Sequence, residues 1–267
     1  MKTGISTASL FLDLPTEEAA EYLSENGVKT SEAFLTTFSE YTDEFADLLL
    51  KKKGNMNFNS VHALTTQFEP QLYSKNDRAL KDAYSVLENV LKTGKTIGAK
   101  NYTFHGFARI KKTPININYD ECGYFTEKIA EKCAEYGINL AYENVHWCYY
   151  NYIGFFSEIK KRCPSLKGTL DIKQARQSGI EYKEYIKEMG ENIVTVHVSD
   201  IDETGKMCLP LKGTVDYDDL FSRLKDVGFD GAVLIEAYRK DYGERRELID
   251  SLDMLKSKAA KYFDTVE

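Results

Sequence analysis

Residues 138–147 read Ile138-Asn139-Leu140-Ala141-Tyr142-Glu143-Asn144-Val145-His146-Trp147. An apolar, β-forming run stops on a carboxylate, and polar loop residues follow. The pattern recurs downstream. Residues 166–171 close on Thr169-Leu170-Asp171, 193–197 close on Val196-His197 and continue as Val198-Ser199-Asp200, and 232–236 close on Leu234-Ile235-Glu236. It recurs upstream too, where 57–63 carry Ser60-Val61-His62 and 101–104 lead through Thr103-Phe104 to His105. Two further β-rich runs, 4–9 and 30–35, come before these.

Amphipathic stretches separate the runs. The first opens at Pro15-Thr16-Glu17-Glu18, with proline and acids in the first turn as helix starts prefer, and stops at Asn26-Gly27. The others cover 40–53, 74–98, 119–136, 152–162, 180–189, 217–227 and 244–263. Eight β/α pairs in 267 residues give about 33 residues per pair, the length of such a unit. Alternating strands and helices imply a parallel sheet covered by helices, and eight pairs are the number that closes a barrel. The expected fold is α/β, a single (β/α)8 TIM barrel forming one domain over residues 1–267. An open doubly wound sheet would carry a glycine-rich turn after its first strand, and Ser6-Thr7-Ala8-Ser9-Leu10 has none.

Composition excludes other classes. With 42% hydrophobic and 29% charged residues, the chain is globular and long enough to bury about three quarters of its unfolded surface. A net charge of −7 argues against a nucleic-acid partner, since phosphate binding needs a cationic face. No apolar run approaches the roughly 18–20 residues of a membrane helix. The opening Met1-Lys2-Thr3-Gly4-Ile5-Ser6 lacks the features of a signal peptide. Five cysteines without CxxC spacing read as reduced thiols, so a cytoplasmic location is expected.

Active sites of such barrels lie at the C-terminal ends of the strands. One histidine or glutamate there is commonly a solvated loop residue; six successive strands ending this way form a pattern. Carboxylates gathered there would repel one another unless a cation joined them. Glu143, Asp171, His197 and Glu236 are therefore the expected metal ligands, an oxygen-rich set suited to Mn²⁺, Mg²⁺ or Co²⁺ and open to Zn²⁺. His62 and His105 could complete a second site that shares Glu143, or bind substrate.

At these residues the chain resembles the xylose-isomerase-like TIM-barrel superfamily of sugar isomerases and epimerases, inosose dehydratases and the endonuclease IV type. The resemblance spans nearly the whole chain. It is carried by Ser60-x-His62, His105 in YTFHG, Glu143 in LAYEN, Asp171 in GTLDIKQA, His197 in VTVHVSD, the loop LPLKGTVDY at 209–217 and Glu236 in VLIEAY. It implies that Glu143, Asp171, His197 and Glu236 bind one divalent cation and that the two glutamates act as acid and base. The implied reaction is isomerisation or epimerisation of a sugar or sugar phosphate through a metal-stabilised enediolate, with a dehydratase-like lyase as the alternative. Two departures stand against endonuclease chemistry. Gln174 stands where the family commonly has a histidine, three positions after Asp171. The loop Gly205-Lys206-Met207-Cys208-Leu209-Pro210 carries no Asp-x-His.

Supporting roles follow from position. Trp147 is a candidate to stack on a sugar face. Lys173, Gln174, Lys212 and Arg239 are candidates to hold substrate hydroxyls or a phosphate, and Asp200 to orient His197. Relatives often form dimers or tetramers, which leaves a homo-oligomer open. No membrane partner is expected.

Overall fold

In the computed structural model, which describes residues 1–64, 68–108 and 116–267, the first strand pairs in parallel with both the second and the last. β1 (Lys2–Ser6), β2 (Thr30–Leu35), β3 (Asn57–Ala63), β4 (Asn101–Phe104), β5 (Asn139–Glu143), β6 (Lys167–Asp171) and β7 (Ile193–Val198) follow one another in chain order. A two-residue hairpin, β8 (Asp200–Ile201) with β9 (Met207–Cys208), interrupts before β10 (Ala232–Ile235). β10 pairs with β7 on one side and β1 on the other, so eight parallel strands close a (β/α)8 TIM barrel in the order β1-β10-β7-β6-β5-β4-β3-β2.

The helices α1 (Thr16–Glu25), α2 (Asp43–Lys52), α3 (Asp77–Thr96), α4 (Tyr119–Glu135), α5 (Phe155–Lys160), α6 (Ile172–Gln177), α7 (Tyr182–Met189), α8 (Tyr217–Asp226) and α9 (Arg246–Ala259) sheathe it. Side-chain caps start several of them. Asn76 accepts from Arg78 N and Ala79 N, Asn118 from Glu121 N, and Asp216 from Asp218 N and Asp219 N. The strands are buried on both faces through most of their length (β10, Ala-Val-Leu-Ile, wholly so), as a sheet covered on the outside and packed within requires. No helix among the described residues is long and apolar enough to cross a membrane.

Differences from the sequence reading are local. β1 ends at Ser6 because the Ser6 hydroxyl accepts from Ala8 N and starts a 3₁₀ turn over Thr7–Leu10. The helix read over 74–98 spans Asp77–Thr96 as α3, and a 3₁₀ turn at Glu69–Tyr73 stands in the loop before it. α6 was not anticipated. Asp171 caps it and Gly179, at φ 73°, ends its turn. The β8–β9 hairpin lies in a stretch read as loop.

Candidate functional site

Four adjacent strands, β5, β6, β7 and β10, bring Glu143, Asp171, His197 and Glu236 together at the C-terminal mouth. In register, Asp171 stands beside His197, and Leu234 beside His197. Asp171 ends β6 and doubles as the cap of α6, its Oδ1 accepting from Gln174 N at 2.8 Å. Asn144 locks the same residue from β5. Its amide donates to Asp171 O and its Oδ1 accepts from Asp171 N, each at 2.8 Å.

His197 is the hub. Its Nδ1 lies 3.1 Å from Glu143 Oε1 and 2.8 Å from Glu236 Oε2, and its Nε2 lies 3.1 Å from Glu32 Oε1. Ligand atoms of Glu143, Asp171 and His197 fall within 4.8 Å of one another. The other side of the mouth belongs to β3 and β4. His62 Nε2 faces His105 Nε2 at 3.1 Å, and His105 Nε2 lies 2.5 Å from Glu143 Oε2. His62, His105 and Glu143 thus form a second cluster of ligand spacing. Behind His105, Gly106 takes φ 71°, and a Cβ there would fall 2.0 Å from the Tyr142 hydroxyl, so only glycine lets this loop lie so close to β5.

Burial would push these groups toward neutrality, and their neighbours oppose it. Burial lowers the affinity of His197 for a proton, but the carboxylates of Glu32, Glu236 and Glu143 more than reverse this and raise its pKa well above the ordinary imidazole range. His62, likewise penalised by burial, is raised to about 9, chiefly by Glu32. Glu143 and Glu32 are both held well below the carboxylate range. In each, burial is the largest effect and is outweighed by imidazoles, those of His105 and His197 at Glu143 and those of His197 and His62 at Glu32. At Asp171 burial wins, raising the carboxyl to about 6 against the pull of Lys173.

Above this floor opens a cavity of about 200 Å³. His62, His105, Glu143, Gln174 and Glu236 line its polar side, and Phe11, Phe34, Trp147 and Tyr238 wall it. The Trp147 ring meets His105 edge-on, with centroids 5.5 Å apart. Gln174 Oε1 lies 2.6 Å from His146 Nδ1, which ties the β5 and β6 loops together. Lys173 is buried. Its Nζ stands 3.7 Å from Asp171 Oδ2, 3.8 Å from Glu236 Oε1 and 4.3 Å over the Tyr238 ring, so it belongs to the charge cluster.

Three of the expected supporting roles are corrected. Lys212 pairs with Glu247 at 2.7 Å in an exposed bridge and does not reach the cavity. Arg239 turns to Asp13 and to the carbonyls of Tyr242 and Gly243. Asp200 does not orient His197. Its Oδ1 accepts from Ile201 N and Val215 N and braces the hairpin after β7, while the His197 ring is engaged by Glu32, Glu143 and Glu236.

Sequence reasoning missed Glu32, in the interior of β2 and fully buried. Its signal was a charged residue inside an otherwise uncharged barrel strand, Thr30-Ser31-Glu32-Ala33-Phe34-Leu35. Glu69 was missed as well. It accepts from His105 N and Gly106 N, each at 2.9 Å, and from the Tyr102 hydroxyl at 2.5 Å, and so holds the His105 loop.

The donor set fits a divalent cation. On the side facing the mouth, Glu143 Oε2, Glu236 Oε2 and Lys173 Nζ are buried without an aligned hydrogen-bond partner among the described residues, even where a neighbour stands within 2.8 Å. Buried polar atoms are normally satisfied, so this many at one spot mark a place built for a bound group. Oxygen and imidazole donors converging from separate strands are the chemistry of a divalent ion.

A family model described as xylose isomerase-like TIM barrel matches residues 20–258. The chain belongs to the xylose isomerase-like TIM-barrel family. No curated protein matches the sequence. Among solved structures, a D-tagatose 3-epimerase-like protein aligns at 19% identity over 98% of each chain with a TM-score of 0.80. The IolI protein, solved with a bound zinc atom, aligns at 19% over 99% of this chain and all of its own, TM-score 0.79. D-psicose 3-epimerase from Clostridium cellulolyticum H10, solved with D-tagatose, aligns at 16% over 98% and 99%, TM-score 0.75. At these identities the likeness is one of fold.

Proposed function

We propose that this family member is a divalent-metal-dependent isomerase or epimerase of a small sugar, moving a proton at the carbon beside a carbonyl. The observation that carries the reading is the convergence of Glu143 and Glu236 on one ring nitrogen of His197, at 3.1 and 2.8 Å, on the floor of a cavity walled by aromatic rings. Glu143, Asp171, His197 and Glu236 would hold the ion, and the likeness in fold to a zinc-bound protein, an epimerase and an epimerase-like protein is consistent with a metal at this mouth. When bound, a divalent ion draws charge from a carbonyl and makes the neighbouring C–H more acidic.

The residues of the chain do the rest. Glu143 ends β5 and Glu236 follows β10, with β6 and β7 between them, so the two carboxylates enter the cavity from different sides. One takes a proton from carbon and the other returns one, to the opposite face of that carbon or to its neighbour. Trp147 and Tyr238 present flat apolar faces on which a sugar ring or chain can lie while its hydroxyls reach His62, His105 and Gln174. Lys173 sets a fixed positive charge beside Asp171 and Glu236, which favours their ionised forms.

The test is a screen of ketoses and aldoses in D₂O with the protein loaded with Mn²⁺, Co²⁺, Mg²⁺ or Zn²⁺. Products of unchanged carbon skeleton carrying one solvent deuterium beside the carbonyl are expected. A product lighter by one water would replace the isomerase reading with a lyase, and no deuterium in any sugar with any metal would end both.

A further inference from the structure

We propose that Glu32 is the positioning residue of the centre, fixing which ring nitrogen two histidines present to the mouth: Nε2 of His62 and Nδ1 of His197. The inference rests on the reading of this site as a metal centre and adds a residue that neither strand ends nor family resemblance pointed to. Glu32 lies on β2, across the barrel from β7, with no exposure to solvent. Its Oε2 accepts from the hydroxyls of Ser60 and Thr103, each at 2.7 Å. That leaves Oε1, which takes the Ser6 hydroxyl at 3.1 Å and faces His62 Nδ1 at 3.3 Å and His197 Nε2 at 3.1 Å.

The remaining ring nitrogens point the other way. His62 Nε2 meets His105 at 3.1 Å, and His197 Nδ1 meets Glu143 and Glu236. With the His105–Glu143 contact, the side chains close a circuit: Glu32, His62, His105, Glu143, His197 and back to Glu32. One carboxylate therefore touches a histidine of each cluster, and its own ligand atom lies within 4.8 Å of those of His62 and Glu236 in a third group.

An imidazole binds a metal through the nitrogen that carries no proton, and the partner of its other nitrogen decides which one that is. A carboxylate only accepts: Glu32 takes the His62 Nδ1–H, and once Glu143 and Glu236 are engaged by an ion it is the carboxylate left facing His197 Nε2, so both rings would turn their lone pairs to the mouth. Glutamine in its place would present an N–H₂ to one of these nitrogens whenever its carbonyl faced Ser60 and Thr103, favouring the opposite tautomer.

Histidine-¹⁵N-labelled protein titrated with zinc tests this directly, because ¹⁵N shifts and long-range ¹H couplings report which nitrogen ligates and which holds a proton. In the wild-type zinc form we expect His197 to ligate through Nδ1 with Nε2–H retained, and His62 to keep Nδ1–H. Glu32→Gln should bind zinc about 10–100-fold more weakly by calorimetry and lose that tautomer pattern while its circular dichroism stays native. Should the variant fail to fold, the wild-type spectrum decides alone. Zinc bound through His197 Nε2, or a folded Glu32→Gln that binds zinc within about twofold of wild type, overturns the assignment of Glu32 and leaves the proposed reaction standing. Zinc bound through Nδ1 with no sugar turned over sinks the reaction and leaves Glu32 in place. A wild-type protein that takes up no zinc removes both.

Discussion

Near the N-terminal end of the barrel, Asn59 Nδ2 donates across the lumen to Thr195 Oγ1 at 2.9 Å, Asn101 Nδ2 to Asn59 O at 3.2 Å, and Asn139 Nδ2 to Asn101 Oδ1 at 3.0 Å. At the mouth, on or just after the same strands, stand His62, His105, Glu143 and His197, and Glu143 Oε2 is buried without an aligned partner among the described residues. Both ends place polar groups inside a barrel. The amides below are neutral, bond to one another and stand partly open to solvent at Asn59 and Asn139, so that layer needs no ligand. The groups above are charged and only partly matched, an arrangement costly in low dielectric unless a ligand completes it. Polarity inside a barrel therefore does not by itself mark a site; several charged groups converging from separate strands do.

The strongest way to break this comparison is to remove an unfinished carboxylate. Glu143→Gln and Glu236→Gln should each lower kcat for solvent-deuterium exchange into the sugar by about 10²–10⁴-fold, the range expected of a lost acid or base. The metal-free variants should unfold at lower urea concentrations than wild type, since each change takes a carboxylate from the buried His197 imidazole it pairs with. A variant with wild-type kcat would show that its carboxylate transfers no proton. Next in size is Lys173, whose ammonium stands 3.7 Å from Asp171 and 3.8 Å from Glu236. Lys173→Met strands those buried charges and should cost about 3–5 kcal/mol in urea unfolding of the metal-free protein. Saturating divalent metal should recover part of the loss.

The mouth was more legible in the sequence than its wiring. β2, β3 and β4 lie where the β-rich runs placed them, because Phe, Val, Tyr and Thr among their residues favour extended chain. Glu143, Asp171, His197 and Glu236 could be grouped because each ends such a run and barrels gather strand ends. Glu32 could not, because it sits inside β2 and its partners Ser6, Ser60 and Thr103 come from three other strands. Lys212 and Arg239 misled for a related reason. A long cation takes the nearest acid, and Glu247 and Asp13 become near only on folding. Lys173, two residues past Asp171, was held inward by the start of α6, a helix whose cap is the site carboxylate itself.

Glu69 sharpens the contrast at a middle level, since its carboxyl is fully buried yet hydrogen-bonded. Burial raises it to about 7 even though His105, Tyr102 and two backbone N–H groups pull the other way. Unfolded, it titrates near its ordinary value of 4.5. Between those values the folded protein holds a proton that the unfolded chain has released. The stabilising contribution of that proton is complete below pH 4.5 and is lost as pH rises to about 7. The loss is on the order of 3 kcal/mol, and Glu69→Gln should flatten that part of the stability–pH curve. An unchanged slope would mean that the titrating group lies elsewhere.

The smallest expected effect belongs to the N-terminal layer and tests whether it is as self-sufficient as its geometry indicates. The pairing of β2 with β3 passes from Ser31–Phe58 to Glu32–Ser60 and skips Asn59. At that bulge the Asn59 side chain reaches Thr195 on β7, with which β3 shares no ladder. Asn59→Ala leaves the Thr195 hydroxyl without this partner and should cost about 1–2 kcal/mol in urea unfolding. Zinc affinity and kcat should stay within twofold of wild type, because Asn59 and His197 share no hydrogen-bond partner, although Thr195 lies two residues before His197 on the same strand. A tenfold loss of zinc binding in Asn59→Ala would show instead that the neutral layer holds β7 in register for the charged one, and the two ends would have to be treated as a single coupled network.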